Sequence, residues 1–185
     1  MKRLLAAGAV LALLAPATAA AKPTTTDKTN AARECKAERG STAATREAFR
    51  VKYGTNKNGK NAFGKCVSRR SKAEERQREA AAANAAKQCK AERAADPAAF
   101  AAKYGTNRNK RNAFGKCVSQ TAKANKQKAD EADAAKIKAR KSAAKDCAAE
   151  RKSLGREAFA AKYGTNRNKR NAFGKCVSKG SKPQA

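Results

Sequence analysis

The chain has 185 residues, with 44 Lys+Arg against 15 Asp+Glu, no His and no Trp, and a formal net charge of +29. A field of that size favours polyanionic partners and opposes compaction. The lack of histidine removes the usual base for a Ser or Cys nucleophile and half of the usual zinc ligands. Six Phe, three Tyr and one Met cannot supply one continuous core, because burial must offset roughly 1–2 kcal/mol of backbone entropy per ordered residue.

In chain order, residues 1–21 read as a secretory signal peptide. Lys2 and Arg3 precede an apolar run from Leu4 to Ala15, Pro16 breaks it, and small residues follow. Small-x-small sites at Ala17–Ala19 and Ala19–Ala21 place cleavage between Ala19 and Lys22. The run is shorter than the ~20 residues a membrane-spanning helix needs. Residues 22–31, polar and threonine-rich, read as a flexible linker.

A twenty-residue phrase then organises the rest. "FRVKYGTNKNGKNAFGKCVS" occupies 49–68, and "FAAKYGTNRNKRNAFGKCVS" occupies 100–119 and recurs letter for letter at 159–178. All nine aromatics lie inside the three copies, and each copy is preceded by a second cysteine in "ECKAER", "QCKAER" or "DCAAER". The expected architecture is all-α and elongated: modules at 32–68, 85–119 and 143–178 on Ala/Lys/Glu-rich helical connectors at 69–84 and 120–142, with a disordered tail at 179–185. The connectors read as rods with almost nothing large to bury, and Ile137 as packing within one of them.

Within the second module, "AAANAAKQCKAER" predicts a first helix. Asp96 then caps a short second helix with Pro97 at its first position, placing Phe100 and Tyr104 on one face. Gly105 is the expected left-handed terminator and "TNRN" a turn. A third helix carries Ala113, Phe114, Cys117 and Val118 on one stripe and runs into the connector.

Six cysteines in an exported chain imply three disulfides with 15 possible pairings. Cys66 and Cys89 on one continuous helix would stand about 35 Å apart, against the ~7 Å that a disulfide tolerates between Cα atoms. Repetition favours Cys35–Cys66, Cys89–Cys117 and Cys147–Cys176, each tying first helix to third around the aromatics. Closing loops of that size contributes on the order of 3 kcal/mol each. No C-x-x-C redox pair occurs, and no catalytic residue, metal site or cofactor is expected.

Each phrase carries five basic residues and no acid. Lys57, Lys60 and Lys65, then Arg108, Lys110, Arg111 and Lys116, then Arg167, Lys169, Arg170 and Lys175 form the candidate anion-binding set, alongside helix N-termini whose N–H groups suit phosphate or carboxylate. Lys57 and Lys60 stand where later copies have arginine, so charge repeats and bidentate geometry does not. That suits bulk attraction to an anionic polymer or surface (cell-wall polymer, acidic glycan or lipid headgroups), with avidity across copies. A structural envelope protein and non-specific nucleic-acid binding are the alternatives. The asparagines read as caps and turn formers, with a carbohydrate contact as the sharper option. The Glu and Arg after each first cysteine (Glu38 and Arg39, Glu92 and Arg93, Glu150 and Arg151) read as an intra-module ion pair or carbonyl contact.

The wording "KYGTNRNKRNAFGKCVS" with an upstream "CKAER" resembles a Cys-containing repeat of exported proteins from high-GC actinobacteria. The resemblance covers most of the chain after the leader. It implies export and a bacterial source and assigns no catalytic residue. The first copy departs at Gly59, where a looser turn is expected. The whole reads as a secreted or cell-envelope protein without enzymatic activity.

Overall fold

The computed structural model describes residues 22–182; the predicted leader 1–21 and residues 183–185 of the predicted tail lie outside them. Seven helices follow in order: α1 Thr25–Arg39, α2 Ala43–Tyr53, α3 Ala62–Ala95, α4 Pro97–Tyr104, α5 Ala113–Leu154, α6 Arg156–Tyr163 and α7 Ala172–Gly180. No strand occurs among the described residues, and the class is all-α.

Helix α1 corrects the first linker. Residues 25–31, expected to be flexible, form its opening turns because Thr24 and Asp27 make a capping box. The Thr24 hydroxyl accepts from the Asp27 N–H at 3.2 Å, and Asp27 Oδ2 accepts from the Thr24 N–H at 2.8 Å. Asp27 is buried and lies 3.5 Å from Arg78 Nη2. Burial raises the Asp27 carboxyl, but the hydrogen bonds from Thr24 and Arg78 outweigh it and hold the group below its ordinary value. At the other end, α7 runs to Gly180, so Lys179 and Gly180 are helical and not tail.

The disulfides join Cys35 to Cys66, Cys89 to Cys117 and Cys147 to Cys176, each with Cα atoms 6.0 Å apart. Together with a few polar contacts they set helix directions. Cys35–Cys66 and Asp27–Arg78 make α1 antiparallel to α3. Cys89–Cys117 and a 2.8 Å bond from Gln77 Nε2 to Asp133 Oδ2 make α3 antiparallel to α5. Arg140 Nε then lies 3.3 Å from Glu38 Oε1, which brings α5 back against α1. The connectors are therefore not separate rods. They are the two sides of one helical hairpin, and α1 lies along both. Ala81, Ala85 and Ile137 are buried; small side chains let helix axes approach closely, so alanine supplies contact area that its size alone conceals.

Elongation comes from the length of that hairpin. Cys117 and Cys147 lie 30 residues apart on α5, about 45 Å at ~1.5 Å per residue. Module two stands at one end and modules one and three share the other. Three apolar clusters result. Cys89, Phe100, Ala113 and Cys117 form the lone one, and Cys35, Phe49, Tyr53, Ala62 and Cys66 form the first. The third, around Cys147, Phe159, Phe173 and Val177, also takes in Ala48 from module one. Glu47 grips Arg151 with two bonds of 2.7 and 2.8 Å across the same joint.

One glycine records this docking. Gly64, Gly115 and Gly174 hold the same place in "AFGK". A methyl group would meet nothing within 4 Å at Gly64 or Gly115, but at Gly174 it would lie 2.7 Å from Val51 Cγ1 on α2. Helical Gly→Ala at an open site stabilises by about 0.5–1 kcal/mol. Gly64→Ala and Gly115→Ala are therefore expected to raise the melting temperature by roughly 1–4 °C, and Gly174→Ala to lower it. Thermal unfolding followed by circular dichroism checks this; three equal responses would contradict the docking of α2 on α7.

Candidate anion-binding turns

Each phrase bends at "TNxNxxN", and its own side chains build the bend. Asn61, Asn112 and Asn171 reach back: Oδ1 accepts from the N–H of Thr55, Thr106 and Thr165 at 3.1, 3.0 and 3.0 Å. Their Nδ2 groups donate to the same threonine hydroxyls at 2.7, 2.6 and 2.7 Å. Asn58, Asn109 and Asn168 accept from the N–H two residues on, at 3.0, 3.1 and 3.1 Å. The asparagines are turn formers, as their chemistry suggests.

The glycine before the bend is not left-handed. Gly54, Gly105 and Gly164 are extended, with φ of −68°, −72° and −74°. Glycine is needed there for closeness: a methyl at any of them would lie 2.6 Å from the carbonyl oxygen of Arg50, Ala101 or Ala160. The left-handed residues come later, Gly59 at φ 65°, Lys110 at 56° and Lys169 at 53°. The first turn keeps the same backbone closure, Gly59 N–H donating to Asn56 O at 3.1 Å just as Lys110 N–H donates to Asn107 O at 3.1 Å, but it lacks one side-chain bond that the other two make. The later lysines bear positive φ while their Nζ groups donate back to Gly105 O at 2.9 Å and Gly164 O at 3.0 Å.

The repeated basic residues divide into two sets. Lys52, Lys103 and Lys162 donate to Glu38, Glu92 and Glu150 at 2.6, 2.7 and 2.6 Å. The hydroxyls of Tyr53, Tyr104 and Tyr163 donate to the same carboxylates at 2.8, 3.0 and 2.8 Å. Arg39, Arg93 and Arg151 lie over the rings of Phe63, Phe114 and Phe173 at 5.4, 4.9 and 4.6 Å. "KY" and "ER" thus fasten each module internally. The second set is the predicted one: Lys57, Lys60, Lys65, Arg108, Lys110, Arg111, Lys116, Arg167, Lys169, Arg170 and Lys175 are all exposed. None of them makes an ion pair among the described residues.

The helices that leave the turns add to this field. Asn61, Asn112 and Asn171 are N-caps without a capping side-chain bond, since their amides are engaged by threonine, and no acid stands in the first turn of α3, α5 or α7. Lys65, Lys116 and Lys175 are the fourth helical residues instead, close to the positive end of the helix dipole.

Two larger cavities reach beyond the predicted turn residues, of which only Lys60 lines either. One of about 770 Å³ runs along α1, α3 and α5, and its charge is balanced by Glu34, Glu74, Asp130 and Glu131 against Arg33, Lys138, Lys141 and Lys145. The other, about 320 Å³, opens beside Gly59 and brings Arg39, Arg46 and Arg50 to Lys60. Sequence reasoning did not place those arginines at a site. The legible clue was a double exchange: Arg50 and Gly59 stand where the other copies have Ala101 with Lys110 and Ala160 with Lys169. Among the described residues no cluster of His, Cys, Asp or Glu could hold a metal, and no helix is long and apolar enough to cross a membrane.

Glu38 departs from its two counterparts. Its side chain is 3 % exposed, against 39 % for Glu92 and 30 % for Glu150. Arg70 Nη2 meets it at 2.9 Å in addition to Lys52, Tyr53 and Arg140. Burial works against its charge, but the bonds from Lys52, Arg70 and Tyr53 outweigh burial and keep the carboxyl below the ordinary glutamate range. The Tyr53 hydroxyl is pushed up to about 12, first by burial and then by the adjacent Glu38 charge. A carboxyl lowered in the folded state contributes stability fully above its unfolded value of about 4.3 and loses it as pH falls through the folded value. Glu38→Gln is expected to cost about 3–5 kcal/mol, as for one broken partner of a buried network, and to flatten the acid limb of the stability curve. Glu92→Gln and Glu150→Gln, more exposed, should change stability far less. Unfolding measured between pH 3 and 7 checks this, and equal losses in all three would contradict it.

Comparison of the chain with protein-family models, with curated proteins and with solved structures finds no match.

Proposed function

We propose that this is an exported, non-catalytic repeat protein of bacterial origin whose three turns bind an anionic cell-envelope polymer at several points at once. The observation that carries the reading is the division of the basic residues. Lys52, Lys103, Lys162 and the three stacked arginines have internal partners, while the turn cations stand exposed without carboxylates. Placing Lys65, Lys116 and Lys175 near positive helix ends is unfavourable for folding, by roughly 0.3–1 kcal/mol per contact of this type. An anion lying across the turn reverses that sign. Export is supported by the leader composition and by three disulfides, which persist in oxidising compartments. Modules about 45 Å apart along α5 suit a long polymer better than a small ligand, because separate weak contacts combine as avidity.

The test is binding of the chain without its leader to purified wall polymer, anionic vesicles and DNA. Saturable binding to wall polymer is expected, falling by at least about tenfold between ~50 and ~200 mM salt as counterions compete. Replacing Lys57, Lys60, Arg108, Arg111, Arg167 and Arg170 by Gln should weaken it by at least about tenfold with the melting temperature unchanged. Salt-independent binding, or full affinity in the Gln variant, would overturn the proposal. Tighter binding to DNA than to wall polymer would move the assignment to nucleic acid.

A further inference from the structure

We infer that module one alone holds a discrete site for a small phosphate ester, in the cavity beside Gly59. The cavity measures about 320 Å³ and is lined by Arg39, Arg46, Arg50 and Lys60 above Phe49 and Phe63, with no acidic residue in its wall. That volume admits a phosphoryl group together with one small ring. Three of the four cations are arginines, whose planar forks bind phosphate oxygens in pairs. None of the four forms an ion pair among the described residues; Arg39 also lies over the Phe63 ring at 5.4 Å, so the side chains of Arg46, Arg50 and Lys60 are the ones whose charge is available to a ligand. Phe49 is 2 % exposed and rigidly packed against Tyr53 at 4.9 Å between ring centres. It backs the cavity, and the half-buried Phe63 presents apolar surface to the organic part of the ester. Four positive charges around so small a space favour a dianionic phosphomonoester over a singly charged carboxylate.

The site belongs to module one because two positions changed together. In modules two and three the left-handed position is lysine, whose ammonium folds onto the glycine carbonyl, and the helix position beneath it is Ala101 or Ala160. In module one the turn residue is Gly59, and the Arg50 side chain passes within 3.3–3.6 Å of where its Cβ would be. The cation has moved from the turn to the helix wall, where it joins Arg39 and Arg46. This site does not rest on the polymer reading, since one small molecule fills it.

The double variant Arg50→Ala/Gly59→Lys separates site from charge. It writes into module one the residues that modules two and three carry, and it leaves net charge unchanged. Lys110 and Lys169 already hold φ of 56° and 53° in the same turn, and removing Arg50 clears the space a lysine Cβ requires. Nitrogen-resolved NMR of the full chain without its leader, titrated with glucose 6-phosphate, reads the outcome. Saturable shifts are expected at the Gly59 and Lys60 amides and at the Nε–H groups of Arg39, Arg46 and Arg50. The turns at Lys110 and Lys169 should move little. The double variant should bind at least tenfold more weakly, and inorganic phosphate and glucuronate should bind the native chain more weakly than the ester. Equal shifts in all three turns, unchanged affinity in the double variant, or glucuronate binding as well as the ester would overturn the site.

Discussion

A carboxylate closed off from water must be met by donors, and Glu38 is met from three other helices. Lys52 and Tyr53 donate from α2 and Arg70 from α3, while Arg140 on α5 adds its charge at 3.3 Å. Each partner shares in compensating a buried charge, and losing one is costly, so the four elements favour one arrangement. The same economy runs through the molecule. Acids are scarce, at 15 against 44 bases, and many stand where helices meet. Asp27 reaches Arg78, Glu34 reaches Arg70, Glu47 reaches Arg151, and Glu74 reaches Lys126 at 2.7 Å. In a chain whose net charge opposes compaction, these acids act as bolts between surfaces that would otherwise repel.

That placement explains why identical phrases do different work. Modules two and three share every letter from Phe100 to Ser119 and from Phe159 to Ser178, yet only module three has a neighbour seated on its core. Ala48 enters the cluster around Phe173, and Gly174 gives room to Val51. The phrase supplies a self-contained fastening of disulfide, aromatic pair and Glu–Lys–Tyr contact. What surrounds the phrase decides whether the fastening is solvent-facing, as at Glu92, or sealed, as at Glu38. The turn cations are left over from both uses, which is why the proposed binding is assigned to them.

The local plan was legible where one residue type has one physical role. Repetition and helix length favoured the same cysteine pairs that the structure joins. Asp96 accepts from the Ala99 N–H at 2.9 Å ahead of Pro97, as a cap should. The start of α1 was hidden by polar composition, although Thr24 and Asp27 carried the capping spacing. Glycine was ambiguous in another way: Gly105 serves close approach and Gly59 serves positive φ, and one letter does not distinguish them. The return of α5 onto α1 was the least visible feature. It depends on alanine seams with no large-residue periodicity, and on contacts such as Glu38 with Arg140 that lie far apart in sequence.

That return gathers modules one and three at one end of the molecule and sets module two at the other. Small-angle X-ray scattering of the chain without its leader tests it directly. With α5 at 42 residues, about 63 Å long, the folded-back hairpin predicts a maximum dimension near 80 Å. Modules strung end to end, with Cys66 and Cys89 separated by 23 residues of helix and Cys117 and Cys147 by 30, would need about 80 Å for those two spans alone. A maximum dimension above about 110 Å would contradict the fold described.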